Sequence, residues 1–336
     1  MEFRLHGANP EKLYELFGVP MPERIYDFST NTNAVAQREG FVPDLRAAIE
    51  DYPDDECCAL RAAISEMTGA SPENILVTSG ANESIYLIAS YEAARENRIL
   101  QPVYGEYLRA LKSYGADPRS IFGLRAAKIP RNGTVWLCNP CNPTGGFIPD
   151  AELNDFAAAH SETLFIVDEA YRDFIWTDED LLPFSPLPNV IRLRSLTKTY
   201  NLCGARIGYI LADARVAERL KRRQPSWSVS GLAQQAALFF LADETLTRRT
   251  RDYYAAEMPR LISAVNEAGF AALPSCVNYF LTAVDHDERF IRFLLERGLV
   301  VRHTRNFPGL DGKYVRIAAR TRDENDRLIA AMRDYR

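Results

Sequence analysis

The chain has 336 residues, 47% of them hydrophobic and 25% charged, with a formal net charge of −5 at pH 7. These values are ordinary for a globular protein and leave no broad basic surface for nucleic acid. No apolar run reaches the length of a transmembrane helix, and Met1-Glu2-Phe3-Arg4 leads into no signal-peptide core. The expectation is a cytoplasmic protein of two domains, or one large α/β unit with a small satellite.

In chain order, His6-Gly7-Ala8-Asn9 opens an irregular start with a short helical piece to Phe17. Asp27-Phe28-Ser29-Thr30-Asn31-Thr32-Asn33 is polar; extended, it sends Asn31 and Asn33 the same way, and it reads equally as an Asn-rich turn. Leu45 to Ile49 and Leu60 to Met67 have helical spacing, the first ended by Tyr52-Pro53 and the second by Gly69. Ile75 to Thr78 reads as a strand running through Ser79-Gly80-Ala81-Asn82-Glu83 into a helix to about Glu92. A glycine at such a turn lets backbone N–H groups reach an anion at the helix start. In Pro102-Val103-Tyr104-Gly105-Glu106-Tyr107, Tyr104 either stacks on a flat heterocycle or packs in the core.

Thr134 to Cys138 reads as a buried strand ending in Asn139-Pro140-Cys141-Asn142-Pro143-Thr144-Gly145-Gly146. Two Asn-Pro steps stiffen that turn and fix the Asn142 amide. Asp150 is expected to cap the helix through about Ala159. Leu164 to Val167, fully apolar, delivers Asp168-Glu169-Ala170-Tyr171. A carboxylate at the carboxyl end of a parallel strand lies where α/β sheets bind ligands. The Cys138-x-x-Cys141 spacing has no second pair to complete a zinc site, so no metal is expected and the six cysteines read as reduced thiols.

Val190 to Leu193 and Ile207 to Ala212 read as buried strands around Ser195-Leu196-Thr197-Lys198-Thr199-Tyr200-Asn201-Leu202-Cys203-Gly204-Ala205-Arg206. Burial lowers a lysine's pKa towards the free amine that attacks carbonyls. Hydroxyls and a guanidinium beside it suit a phosphate on the same ligand. An aldehyde plus a phosphate describes pyridoxal 5'-phosphate (PLP), with Lys198 as its Schiff-base partner; a polar surface turn is the plainer alternative. Helices follow from Arg215 to Arg223 and, after Trp227-Ser228-Val229-Ser230, to about Ala268, with Pro259 inside. The tail alternates strands near Asn278–Leu281, Leu299–Arg302 and Tyr314–Ile317 with helices Glu288–Arg297 and Arg322–Arg333.

The glycine turn, aromatic, Asn-Pro-x-Asn-Pro-Thr-Gly, Asp-x-x-Tyr, Ser-x-Thr-Lys and Gly-x-Arg-x-Gly occur in one order. Together they resemble fold-type-I PLP-dependent enzymes of the aminotransferase class I/II group, over nearly the whole chain. The branch most resembled holds threonine-phosphate decarboxylases and histidinol-phosphate aminotransferases. The decarboxylase side is favoured by His6-Gly7-x-Asn9, Asp27-Phe28-Ser29, Trp227-Ser228-Val229 and Phe307-Pro308-Gly309-Leu310-Asp311.

The resemblance implies a mainly parallel central sheet covered by helices, plus a small α+β domain. Residues 1–40 join the small domain and the substrate site, 41–235 form the large PLP-binding domain, and 236–336 form the small domain. It also implies roles. Lys198 carries the cofactor and the proton. Asp168 pairs with the pyridine nitrogen. Asn142 and Tyr171 bond the ring oxygen, and Tyr104 stacks on the ring. Gly80, Ala81, Asn82, Ser195, Thr197 and Arg206 hold the phosphate. Tyr52 reaches the phosphate in the neighbouring subunit of a homodimer. Arg302 and Arg316 bind the substrate's anion, with His6, Asn33 and Asn278 beside them.

The implied reaction is decarboxylation of a phosphorylated amino acid such as O-phospho-L-threonine or O-phospho-L-serine. Transamination of the histidinol-phosphate type and a non-catalytic PLP-binding regulator are the alternatives. No nucleic-acid or membrane partner is expected. Two loops depart from the decarboxylase pattern: Ala34-Val35-Ala36-Gln37 has no proline after the second asparagine, and Ser230 stands where asparagine is usual.

Overall fold

The computed structural model describes residues 7, 9–36, 39–176 and 181–335; His6 and Gln37 lie outside them. Its strands are β1 (Tyr26–Asp27), β2 (Ile75–Thr78), β3 (Asn97–Leu100), β4 (Arg119–Ile121), β5 (Thr134–Cys138) and β6 (Leu164–Asp168). There follow β7 (Val190–Ser195), β8 (Gly208–Leu211), β9 (Tyr279–Ala283), β10 (Leu299–Val300), β11 (Arg302–His303) and β12 (Tyr314–Ala318).

Among the described residues the main sheet has the order β2-β8-β7-β6-β5-β3-β4. It is parallel from β7 to β4, and β8 runs antiparallel to both its neighbours. Strands buried on both faces must be apolar throughout, and the contents of β5 and β6 follow that rule. Trp136 and Ile166 enter one apolar cluster with Ile85, Ile88 and Ile210. Val135, Leu137, Phe165 and Val167, on the opposite face, pack with Leu153 and Ala157 of the helix Asp150–Ala159.

The three-stranded sheet β11-β12-β9 and the parallel pair β1-β10 share another core with the helices Pro10–Phe17, Leu246–Glu267, Asp287–Leu295 and Arg322–Asp334. The segment Leu299–Arg302, expected as one strand, divides between these two sheets: Leu299-Val300 pairs with β1, and Arg302-His303 pairs with β12. A second departure concerns Asp150. Pro149 holds the N-cap position, and Asp150 begins the helix without capping it. Its carboxylate instead receives both terminal nitrogens of Arg172, at 2.8 and 2.5 Å, and the Leu182 N–H at 2.7 Å. A buried guanidinium offers two parallel donors, a stronger competitor than one backbone N–H.

Beside that pair lies Glu169, also buried, held by Arg192, by Arg194 at 2.6 Å and by Arg172 at 3.8 Å. Burial alone would raise its pKa, but Arg192, Arg194 and Arg172 outweigh burial and hold it down at about 2. A carboxylate depressed on folding stabilises above its ordinary 4.5 and loses that contribution as pH falls towards 2. Glu169→Gln should therefore cost about 3–5 kcal/mol at neutral pH, because it leaves buried guanidinium charge uncompensated. In urea titrations the variant should also lose less stability than the wild type on acidification through that window.

Candidate active site

The strands β3, β5, β6 and β7 run parallel, and β2 points the same way because it is antiparallel to β8, which is antiparallel to β7. The loops after β2, β3, β5, β6 and β7 therefore open on one edge, the carboxyl edge where such sheets bind ligands. A cavity of about 230 Å³ occupies that edge. It is lined by Ala81, Asn82, Tyr104, Asn142, Asp168, Tyr171, Ser195, Thr197, Lys198, Arg206, Arg302 and Arg316 among the residues singled out from sequence.

Each wall has a local cause. The Gly80 φ of +78° turns the chain from β2 into the helix Gly80–Glu92, a left-handed conformation that favours glycine. A Cβ there would lie 2.9 Å from Arg206 Nη2, so the guanidinium packs directly on this turn. Gly208 is as confined: its Cβ would sit 2.8 Å from the Arg194 carbonyl oxygen and 3.0 Å from Ala81 N. Ser195 caps the short helix Leu196–Thr199 through Thr197 N–H at 3.2 Å, which fixes Lys198 in the cavity wall. Asn139 ties off the Asn-Pro turn by exchanging two 2.8 Å bonds with the Ile148 backbone. That leaves the neighbouring Asn142 amide to accept from Arg316 Nη1.

The charges are arranged unusually. Among the described residues Lys198 forms no ion pair; burial lowers its pKa, the Cys203 thiol opposes this, and Arg316 and Arg206 add to it. Asp168 is buried, accepting from Tyr107 Oη at 2.6 Å and from Ala170 N–H at 3.0 Å. Burial raises its pKa and these two donors oppose the rise. Arg302 and Arg316 are register partners on β11 and β12. Burial, and then Arg316, push Arg302 down to about 9, and burial lowers Arg316 as well. Arg316 Nη2 donates to Ser29 O at 2.7 Å, and its Nε finds no partner among the described residues. Tyr104, bonded to Asn82 Oδ1 at 3.3 Å, is pushed up to about 12 chiefly by burial.

Three residues named from sequence stand elsewhere. Asn33 is buried, but its amide donates to Thr199 O at 2.9 Å and Thr250 Oγ1 at 2.7 Å, outside the cavity lining. Asn278 donates to the carbonyls of Asn31 and Thr32, at 3.3 and 3.2 Å, and so anchors the N-terminal strand segment. Tyr52 is 81% exposed and stacks on Trp227 with ring centroids 4.8 Å apart, away from this chain's own cavity. Ser230, the departure from pattern, is the N-cap of the helix Gly231–Leu241 and accepts from Ala233 N–H at 3.2 Å.

The cavity also recruits residues the sequence did not single out as site residues. Asn31 lines it in place of Asn33 and donates to Tyr171 Oη at 3.2 Å, while its Oδ1 has no partner among the described residues. Tyr107, on the second position of the helix Glu106–Ser113, sits behind Asp168. Its available signal was the apolar face it shares with Ala110 and Leu111.

A mainly parallel sheet that gathers an amine, a carboxylate and an anion cradle at one edge defines the fold-type-I class of enzymes. The family model described as aminotransferase class I and II matches residues 25–332, and the chain belongs to that family. It is 32% identical to a threonine-phosphate decarboxylase of Salmonella typhimurium over 98% of this chain and 96% of the relative. A histidinol-phosphate aminotransferase of Moorella thermoacetica is 28% identical over 92% and 85% respectively. Among solved structures, an L-threonine-O-3-phosphate decarboxylase from Porphyromonas gingivalis superposes with a TM-score of 0.82 at 26% identity, covering 92% of this chain and 99% of that one. A Sinorhizobium meliloti histidinol-phosphate aminotransferase in complex with pyridoxal-5'-phosphate has a TM-score of 0.80, covering 98% and 94%. At 24% identity this last likeness speaks to the fold. Among the described residues no helix is long and apolar enough to cross a membrane, and no cluster of side chains is arranged to hold a metal ion.

Gly80→Ala tests the cradle: forcing a side chain into the left-handed region should cost about 1–2 kcal/mol in urea titration.

Proposed function

We propose that the cavity binds PLP and that the protein decarboxylates an amino acid bearing a phosphate, of the O-phospho-L-threonine or O-phospho-L-serine kind. The observation that carries the substrate reading is the pair of buried, register-matched guanidiniums, Arg302 and Arg316. Each disfavours the other's charge, and a dianion with several acceptor oxygens relieves both at once.

The residues fit the cofactor. The Gly80 turn, too tight against Arg206 for a Cβ, offers helix-start N–H groups and a guanidinium to a phosphate. Asp168 presents a buried carboxylate that only neutral groups bond, as the partner for a protonated ring nitrogen. Lys198 presents an amine with depressed basicity. Asn142 and Tyr171 would bond the ring oxygen, Tyr104 would cover the ring, and Ser195, Thr197 and Asn82 would hold the phosphate; all of them line the cavity. When bound, PLP supplies an electron sink for the pair left by a breaking bond at the substrate Cα.

The chain's own residues decide which bond breaks. With the two arginines on the substrate's phosphate, neither guanidinium would hold the α-carboxylate, which would be free to leave as CO2 with the bonding pair passing to the bound cofactor. Lys198 Nζ would be the group that returns a proton to Cα. Asn31 Oδ1, buried and unsatisfied, is placed to accept from the substrate. His6, Asn33 and Asn278 belong to the proposed substrate side, the last two by shaping the N-terminal segment. In the proposed division, residues 41–235 hold the cofactor, 236–336 form the small domain and 1–40 bridge to it.

Transamination of the histidinol-phosphate type is the second reading, favoured by one contact: Arg316 lies against Asn142, where it can hold a carboxylate beside the ring. A homodimer accompanies either reading. Val42, Leu45, Ile49, Tyr52, Trp227 and Leu232 are all exposed, and apolar surface of that kind suits a second copy receiving Tyr52 at its phosphate.

Incubation of the PLP-loaded protein with O-phospho-L-threonine or O-phospho-L-serine, with and without 2-oxoglutarate, decides the reaction. CO2 released without a keto-acid requirement is expected; glutamate formed from 2-oxoglutarate establishes the second reading instead. A protein inert to every amino donor is a binding module, and neither reaction stands. Lys198→Ala should abolish borohydride-fixable PLP in peptide maps and lower turnover by roughly 10²–10⁴-fold.

A further inference from the structure

Tyr107 is 1% exposed, clamped between Trp136 and the edge of Tyr104, with ring centroids 6.0 Å away in each case. Packing alone asks only for a phenylalanine there, because a buried hydroxyl costs stability unless it is bonded. The hydroxyl is bonded, and to a single carboxylate oxygen: it donates to Asp168 Oδ2 at 2.6 Å. Ala170 N–H satisfies the other oxygen at 3.0 Å. No ion pair reaches Asp168 among the described residues, although its chain neighbour Glu169 collects three arginines. The other titratable groups that interact with Asp168 are Cys138 on the adjoining strand, Glu169, Tyr104 and Tyr171, none of them cationic.

We infer that Tyr107 is a positioning residue for the reaction: its hydroxyl keeps the negative charge on Asp168, and so keeps the proton on the nitrogen of a pyridine ring bound above it. The inference rests on PLP occupying the cavity. A ring nitrogen and a buried carboxylate compete for one proton. A donor behind the carboxylate stabilises its ionised form, as any hydrogen bond to the charged state does. Without that donor the carboxylate becomes the stronger base, the proton moves from N1 to Asp168 Oδ, and a charge-assisted bond becomes a weaker neutral one. The ring is then a poorer electron sink.

The test is the 15N resonance of N1-labelled PLP bound to the full chain at one fixed pH, with the dissociation constant measured beside it. Wild type should show a pyridinium. Tyr107→Phe should move the resonance towards that of a neutral pyridine and weaken PLP binding about tenfold, the loss of one hydrogen bond to a charged group. If that variant fails to fold, 4-aminophenylalanine at position 107, a weaker donor of the same shape, should move the resonance the same way by less. Tyr91→Phe, whose hydroxyl donates to the Arg219 carbonyl outside the cavity lining, should leave it in place. A resonance unmoved in both variants at position 107 overturns the assignment, as does an equal shift in Tyr91→Phe. A wild-type chain that takes up no PLP overturns the functional reading itself.

Discussion

Two ionisable groups without counter-ions among the described residues govern this structure, one buried and one half-buried in the cavity wall. Asp168 and Lys198 stand at the ends of adjacent parallel strands, on the same edge of the sheet, and neither forms an ion pair among the described residues. A buried charge costs several kcal/mol unless its surroundings answer it. Here the answer is partial: neutral donors for the carboxylate, and two distant-acting arginines that work against the ammonium. On the proposed reading, a ligand with an acidic ring N–H, an aldehyde and a phosphate would complete what these residues leave open.

The contrast with Glu169 sharpens the point. Asp168 and Glu169 are consecutive, so they face opposite sides of the sheet. Glu169 is saturated by Arg192, Arg194 and Arg172 and held as a permanent anion. It clamps β6, β7 and the following turn together. One residue away, the sheet keeps a carboxylate that no cation among the described residues pairs with. Rigid support on one face and reserved chemistry on the other come from a single-residue step.

Much of this was legible in the sequence because it rests on local rules. Apolar runs fixed β2, β5, β6 and β7, and the strand-to-loop transitions after them carried Gly80, Asn142, Asp168 and Lys198 to one edge. What the sequence hid depends on distant partners. Asn31 and Asn33 share a side in an ideal extended chain, yet Thr250, 217 positions away, captures the Asn33 amide and leaves Asn31 to the cavity. Asp150 looked like a cap because Arg172, folded back beside it, is invisible to helix spacing. Nothing local to Tyr107 announces that its hydroxyl meets Asp168. Tyr52 remains on the surface of its own chain, and nothing local in the sequence says what it faces.

The division between β10 and β11 ties the two ends of the polypeptide into one lever. Phe28 donates its N–H to Val300 O at 2.7 Å and accepts at its carbonyl from Ala318 N–H at 2.9 Å, and Ser29 O receives Arg316. The first strand segment is thus stitched to β10, just ahead of Arg302, and to β12, which carries Arg316. Residues 26–29 and the two arginines therefore belong to one hydrogen-bonded framework. On the proposed substrate reading, the seating of the N-terminal segment would help to set the spacing of the two guanidiniums.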